Sequence, residues 1–216
     1  MGMDNLSEYG RAPEDKYHTG GWLSMKGSLA EKWTILDAFI QHLRYRKVIP
    51  FIPRDSVLVD LGCGDGNFLW HVRHRIRTGH GIDNGVDGPK EMENISILPG
   101  DVNEKMPVED DFSDVVTAIA LLEHLTEPGV FIGEIYRILK PGGLCIMTTP
   151  SPAGRPVLEF LAFRLGVISV KYIEDHKHYF PEHELRDLLK MFSQVKISYF
   201  QLGWNTFITA RKPPLS

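Results

Sequence analysis

One stretch constrains this chain more than any other: VLVDLGCGDGNF at positions 57–68. Val57, Leu58 and Val59 form a continuous apolar run, the pattern of a strand buried on both faces of a parallel sheet. The run meets Asp60, and glycines follow at Gly62, Gly64 and Gly66. Glycine lacks a Cβ and tolerates positive φ, so a ligand can approach the backbone closely there. Phe68, Leu69 and Val72 then resume at helical spacing. Strand, glycine-rich turn and helix in succession place free N–H groups at the carboxyl edge of a sheet, where α/β folds hold ligands. The spacing excludes two familiar occupants. A dinucleotide fingerprint needs a glycine where Asn67 stands, and a P-loop needs Gly-Lys-Ser or Gly-Lys-Thr, which the chain lacks. A carboxylate at the end of the strand suits a cationic ligand and would repel a phosphate.

The 216 residues allow one domain with a sizeable core. A hydrophobic content of 43% and a charged content of 24% are those of a soluble globular protein. A net charge of −4 speaks against a dedicated nucleic-acid binder, which carries a basic excess. Two cysteines, Cys63 and Cys145, make no disulfide framework, so a reducing cytoplasm is expected. No apolar run reaches membrane-spanning length, and the polar N-terminus is no signal peptide. The expectation is a single domain over 1–216, with 1–50 an N-terminal arm and helix and 56–211 the core.

In chain order, 1–19 is a polar arm, and 28–48 has one apolar face through Leu29, Trp33, Leu36, Phe39, Ile40 and Leu43. Arg44, Arg46 and Lys47 are expected to be solvated charges near that helix's C-terminus. After the glycine turn come a helix over 68–75, a strand over 77–82 ending in Asp83, and a strand through Ile95, Ile97 and Leu98. A strand containing Val115, Val116, Ala118 and Ile119 precedes an amphipathic helix over 128–139. Lys140, Pro141, Gly142 and Gly143 stop that helix, and 144–149 is a further buried strand. Val157, Phe160, Leu161 and Leu165 predict another apolar helix face. A helix opened by Pro181 follows, then an antiparallel hairpin over 195–200 and 204–210.

The D-x-G-x-G-x-G turn, followed in the expected order by EIYRILKPGGLCIMTTP, resembles the S-adenosylmethionine-dependent methyltransferases with a Rossmann-like fold, particularly those acting on small molecules. The resemblance covers roughly 56–211. It implies a three-layer αβα sandwich around a seven-stranded mixed sheet, order 3-2-1-4-5-7-6, closed by a C-terminal antiparallel hairpin. It also implies that Asp60, Gly62, Cys63, Gly64 and Gly66 wrap the amino-acid end of S-adenosyl-L-methionine. Asp83, with Asn84 beside it, would accept both ribose hydroxyls, because a carboxylate binds a vicinal diol in a bidentate way. The competing role for Asp83 is a turn cap before Gly85. Asp101 and the Val102 N–H would take the adenine, and Ala118 and Ile119 would lie against the cofactor. Asp114 would order the start of the sheet.

On the acceptor side the resemblance points to Glu123 and His124 and to the His-aromatic segment with His176, His178 and Tyr179, either touching the acceptor or packed structurally. His176 and His178 also have a metal-like spacing, but no third ligand is evident, and no metal is expected. Tyr17, His18 and Trp22 would line a lid or simply pack on the surface. The implied activity is transfer of a methyl group to O, N or C of a small-molecule acceptor, leaving S-adenosyl-L-homocysteine, with no nucleic-acid partner and no membrane span. The sulfonium is already a good leaving group, so alignment and exclusion of water carry the reaction. Rival readings are a nicotinamide dehydrogenase, disfavoured by Asn67 and Asp60, and a non-catalytic methyltransferase-like subunit.

Overall fold

The structure, a computed structural model, describes residues 35–215. The expected arm, the first residues of the 28–48 helix, and Tyr17, His18 and Trp22 lie outside the described residues. Helix α1 spans Ile35–Val48 and runs into a short 3₁₀ turn. Strand β1, Val57–Leu61, is buried at every position, as its apolar run predicts. Helix α2 is Asn67–Val72, and strands β2, β3 and β4 are Thr78–Asp83, Lys90–Met92 and Ile95–Pro99. Strand β5 is Ser113–Ile119, α3 is Pro128–Ile138 and β6 is Leu139–Pro150. Helices α4, α5 and α6 are Arg155–Glu159, Val170–Glu174 and Glu182–Leu188. The chain then forms the hairpin of β7, Ser193–Phe200, and β8, Asn205–Arg211.

The sheet has eight strands in the order β3-β4-β2-β1-β5-β6-β8-β7. Strands β4, β2, β1, β5 and β6 are parallel, whereas β8 runs antiparallel to β6, and β7 to β8. The seven-strand order that the family resemblance implies is present once β3 is set aside. The eighth strand, Lys90–Met92, is antiparallel at the β4 edge. Its sequence, KEM, carries too few apolar residues to announce a strand; it exists because it pairs with β4.

Both faces of the sheet are covered, so its strands alternate between two cores. Val59 and Leu61 face a core with Phe131, Ile132 and Ile135 of α3 and Leu185 of α6. Leu58 faces the other, with Tyr45 and Val48 of α1 and Phe68, Leu69 and Val72 of α2. Each fully buried side chain of this kind stabilises the fold by about 1.5–3 kcal/mol. Asp114 ties β5 to β1, accepting from the Val57 N–H at 2.8 Å and from Lys140 Nζ at 2.7 Å. Burial works to raise its pKa, but these donors outweigh it and hold the carboxyl below its ordinary value.

Three local expectations are corrected. Residues 140–143 do not lie outside the sheet: β6 begins at Leu139, and the Lys-Pro-Gly-Gly segment forms an irregularity between the pairs Ser113–Leu139 and Val115–Leu144. There the Gly142 N–H donates to the Lys212 carbonyl, so neighbouring chain satisfies a segment that would otherwise be a loop. Second, Phe160 and Leu165 are more than half exposed, and Leu158 and Ala162 are buried instead. A π-helical turn over Phe160–Arg164 follows α4, and the wider turn rotates the apolar face away from the 3.6-residue spacing. Third, Arg44 is not solvated. It is 4% exposed, and its Nε and Nη2 both donate to Asn205 Oδ1 at 3.3 Å.

Candidate functional site

Every parallel strand points its carboxyl end to one edge of the sheet, and the candidate residues gather there. The glycine turn leaves β1 with left-handed φ at Gly62, Gly64 and Gly66. Most of its N–H groups are turned inward. Gly62 and Cys63 donate to the Ile82 carbonyl, Gly66 to Cys63, and Asn67 to the Asp65 carboxylate. Gly64 donates to Asp83 Oδ2 at 2.8 Å. The turn is therefore not the cradle of free N–H groups that its glycines suggest, and it offers an anion little. Gly64 is exposed, and a Cβ built on it meets nothing within 4 Å.

Asp60 lies at the root of this turn, 3% exposed, and accepts from Thr117 Oγ1 at 2.6 Å. Burial pushes its pKa up to about 7; the Thr117 hydrogen bond works against that rise, and the charge of Asp83 adds to it. A buried carboxyl under an open backbone favours a cationic neighbour, because a positive group within a few ångström restores the charged form. Cys63 is buried as well, and burial drives its thiol pKa upward, so it serves as packing and not as a nucleophile.

Asp83 ends β2 and does two things at once. Its Oδ2 takes the Gly64 N–H, and its Oδ1 takes the Gly85 N–H at 2.7 Å. The turn-cap role is thus present, yet each carboxylate oxygen keeps a further lone pair for a ligand. Asn84 beside it is exposed. Asp101, two residues past the end of β4, is exposed and accepts from the N–H and side-chain amide of Asn103, which hold its pKa low. Val102 is buried. Ala118 and Ile119 end β5 buried and belong to opposite cores.

The acceptor side begins where β5 ends. Leu122–His124 forms a 3₁₀ turn, and Leu121 just before it lies against Gly62, whose Cβ would come within 2.7 Å of Leu121 Cδ1. Glu123 is fully buried; Thr149 Oγ1 donates to its Oε2 at 2.9 Å, and its Oε1 has no hydrogen-bond partner among the described residues. Burial raises its pKa, against the opposing fields of His124 and Arg44. The backbone N–H groups of Lys177 and His178 donate to the Glu123 carbonyl, which brings the distant His-aromatic segment to this turn.

Four of the five acceptor-side candidates, Glu123, His124, His176 and Tyr179, are thereby assembled. The rings of His124 and His176 are 4.9 Å apart, and His176 Nδ1 lies 2.8 Å from the Tyr179 hydroxyl. Burial pushes the His176 pKa down to about 3, with His124 and Arg44 adding to the effect, so the imidazole is neutral. His178 is drawn elsewhere, with Nε2 2.6 Å from Glu184 Oε2 at the surface. His176 and His178 therefore do not act as one pair. His176 meets two other residues from across the fold instead: one ligand atom each from Glu123, His124 and His176 falls within 4.8 Å of the others. A cleft of about 580 Å³ opens beside them, lined by Pro152, Arg155, Phe163, Ile173, His176 and Tyr179 among others.

Arg44, Thr149 and Asn205 were not legible as site residues. Arg44 left one signal, since it stands four residues after Ile40 and so falls on the apolar face of α1.

A mixed sheet with this strand order, bearing a carboxylate-rooted glycine turn at the carboxyl edge of its parallel strands, is that of the Rossmann-like S-adenosylmethionine-dependent methyltransferase class. The chain belongs to that family: the model described as "Methyltransferase domain" matches residues 33–192. Over 127 residues it is 29% identical to the ubiquinone biosynthesis O-methyltransferase of Pseudomonas entomophila, covering 54% of this chain and 51% of that protein. Over 147 residues it is 26% identical to the tRNA (carboxymethyluridine(34)-5-O)-methyltransferase of Arabidopsis thaliana, covering 67% of this chain and 33% of the other. The chain spans about half the length of the former relative and a third of the latter.

Among solved structures, the fold resembles a methyltransferase in complex with the Haloferax volcanii Trm112 activator. The TM-score is 0.65 at 18% identity, over 82% of this chain and 92% of that one. A SAM-dependent methyltransferase from Archaeoglobus fulgidus gives a TM-score of 0.63 at 18% identity, over 81% and 94%. At such identities the likeness is one of fold. Among the described residues no helix is long and apolar enough to cross a membrane.

Proposed function

We propose that this chain transfers a methyl group from S-adenosylmethionine to an oxygen, nitrogen or carbon of a small-molecule acceptor. The observation that carries the proposal is the glycine turn, whose N–H groups are largely spent inward above the buried Asp60 carboxyl. That site fits a ligand whose near end is an ammonium and not a phosphate. When bound, the cofactor supplies a methyl on a positively charged sulfur, with a neutral thioether as the leaving group.

In this reading Asp60, Gly62, Cys63, Gly64 and Gly66 hold the amino-acid end. Asp83 and Asn84 take the ribose, Asp101 and Val102 the adenine, and Ala118 and Ile119 the flank. His124, His176 and Tyr179 orient the acceptor, and His178 stands at the rim. A cleft of about 580 Å³ suits a small molecule. The net charge of −4 favours such an acceptor over a nucleic acid, and two free buried cysteines fit a reducing cytoplasm.

Calorimetric titration of the purified chain with S-adenosylmethionine and, separately, with NAD tests the proposal. Micromolar binding of the former alone is the expected result, and Asp83→Ala should weaken it by roughly 1.5–3 kcal/mol, the scale of charge-assisted hydrogen bonds. Binding of neither ligand would overturn the proposal and favour a non-catalytic subunit. Unchanged affinity in a folded Asp83→Ala variant would remove Asp83 from the site.

A further inference from the structure

We infer that Glu123, His124 and His176 form a binding site for one divalent transition-metal ion, which holds and acidifies a hydroxyl of the methyl acceptor. The substrate class this deepens rests on the methyltransferase reading above; the metal site itself does not.

The three ligand atoms lie within 4.8 Å of one another, a span from which a single ion can collect them with small side-chain adjustments. Glu123 supplies the observation that sets this cluster apart from a chance grouping. Its side chain is fully buried, only Oε2 is engaged, by Thr149, and Oε1 has no hydrogen-bond partner among the described residues. A buried carboxylate oxygen left unpaired is costly, so a group that satisfies it is strongly favoured.

The histidines carry the outer supports expected of ligands. His124 Nδ1 donates to the Asp175 carbonyl at 3.1 Å, which fixes the tautomer whose Nε2 bears the lone pair. His176 is held through Nδ1 by the Tyr179 hydroxyl at 2.8 Å. One carboxylate and two imidazoles suit zinc, cobalt, manganese or iron(II) better than magnesium or calcium, which prefer oxygen donors.

Three protein ligands leave a tetrahedral ion one position short, and His176 lines the cleft where a substrate oxygen would complete it. Bound there, the acceptor hydroxyl loses its proton to solvent at lower pH than it otherwise would. The oxygen lone pair forms the new bond to the methyl carbon. The carbon–sulfur bond breaks with its electron pair going to sulfur, and the ion keeps its oxidation state throughout. An oxygen acceptor is thereby preferred to nitrogen or carbon. The 3₁₀ turn bearing Glu123 and His124 is set against the glycine turn by Leu121, so the two halves of the site are contiguous.

The test uses the full chain, freed of metal by chelation and titrated with Co²⁺ and with Zn²⁺ in the absence of any cofactor. One ion per chain is expected, with visible d–d absorption for Co²⁺. His124→Ala and His176→Ala should each weaken binding by roughly tenfold or more. Should a variant fail to fold, paramagnetic shifts of two imidazoles in the histidine-labelled wild-type Co²⁺ form decide the matter. No binding by the wild type, unchanged affinity in both folded variants, or fewer than two shifted imidazoles would overturn the inference. Titration with S-adenosylmethionine reports separately on the methyltransferase reading, so either can fail alone.

Discussion

Asp60 shows how a single residue can be poor for the fold and good for the site. Its carboxyl is 3% exposed, and burial lifts its pKa from 3.8 to about 7. The folded chain therefore binds a proton that the unfolded chain has already released between roughly pH 4 and pH 7. Stability falls as pH rises through that window and levels off above it. Asp60→Asn removes the penalty. At pH 8 the variant should be more stable than the wild type by roughly 2–4 kcal/mol, at ~1.4 kcal/mol per pKa unit. The gain should shrink towards nothing at pH 4, which thermal denaturation across that range would show. The same variant should lose most of its affinity for S-adenosylmethionine. A destabilised variant at pH 8 would mean that the carboxyl has a counter-charge of its own.

At the scale of the element, the three glycines of the turn are not equivalent. Gly66 has φ +85° and is packed so that a Cβ would overlap Ile97 Cδ1, whereas Gly64 has φ +55° and open space around it. Gly64→Ala should cost the fold only about 1–2 kcal/mol, the price of a left-handed L-residue, and Gly66→Ala more. Ligand affinity should fall sharply in Gly64→Ala, because the methyl would occupy the ligand's approach. Urea denaturation paired with calorimetry separates the two effects; full affinity in Gly64→Ala would place the ligand elsewhere.

This turn and β1 were legible because their information is local: apolar run, acid, glycines and helix lie within a dozen or so positions. The same holds for β5, α3 and the hairpin. What escaped the sequence is non-local. The partner of Arg44 is Asn205, 161 residues away, and β3 exists only through its pairing with β4. Glu123, His124 and His176 meet through backbone bonds from Lys177 and His178 that no spacing announces. The apolar face over 155–165 departs from the 3.6-residue period because a π-helical turn interrupts it.

For the whole molecule, the family match ends at residue 192, yet the sheet does not. Strand β8 lies between β6 and β7, is buried through most of its length, and delivers Asn205 to Arg44. A chain ending at Phe192 would bare the β6 edge and part of the α3-side core, including Met147 and Cys145. It should show no cooperative unfolding transition and should aggregate, while the full chain unfolds in one step; a soluble, cooperatively folded 1–192 fragment would refute this.

The direction of β8 has a practical side. It pairs with Asn205 opposite Pro150 and Arg211 opposite Leu144, so it carries the chain away from the ligand-bearing edge. Lys212 then anchors it to Asp111 and to the Leu139 carbonyl at the opposite rim. A tether attached after Lys212 would hold the protein by its back. Immobilised that way on a sensor surface, the molecule presents its cleft to the flowing solution, and binding measured there reports the site and not its obstruction.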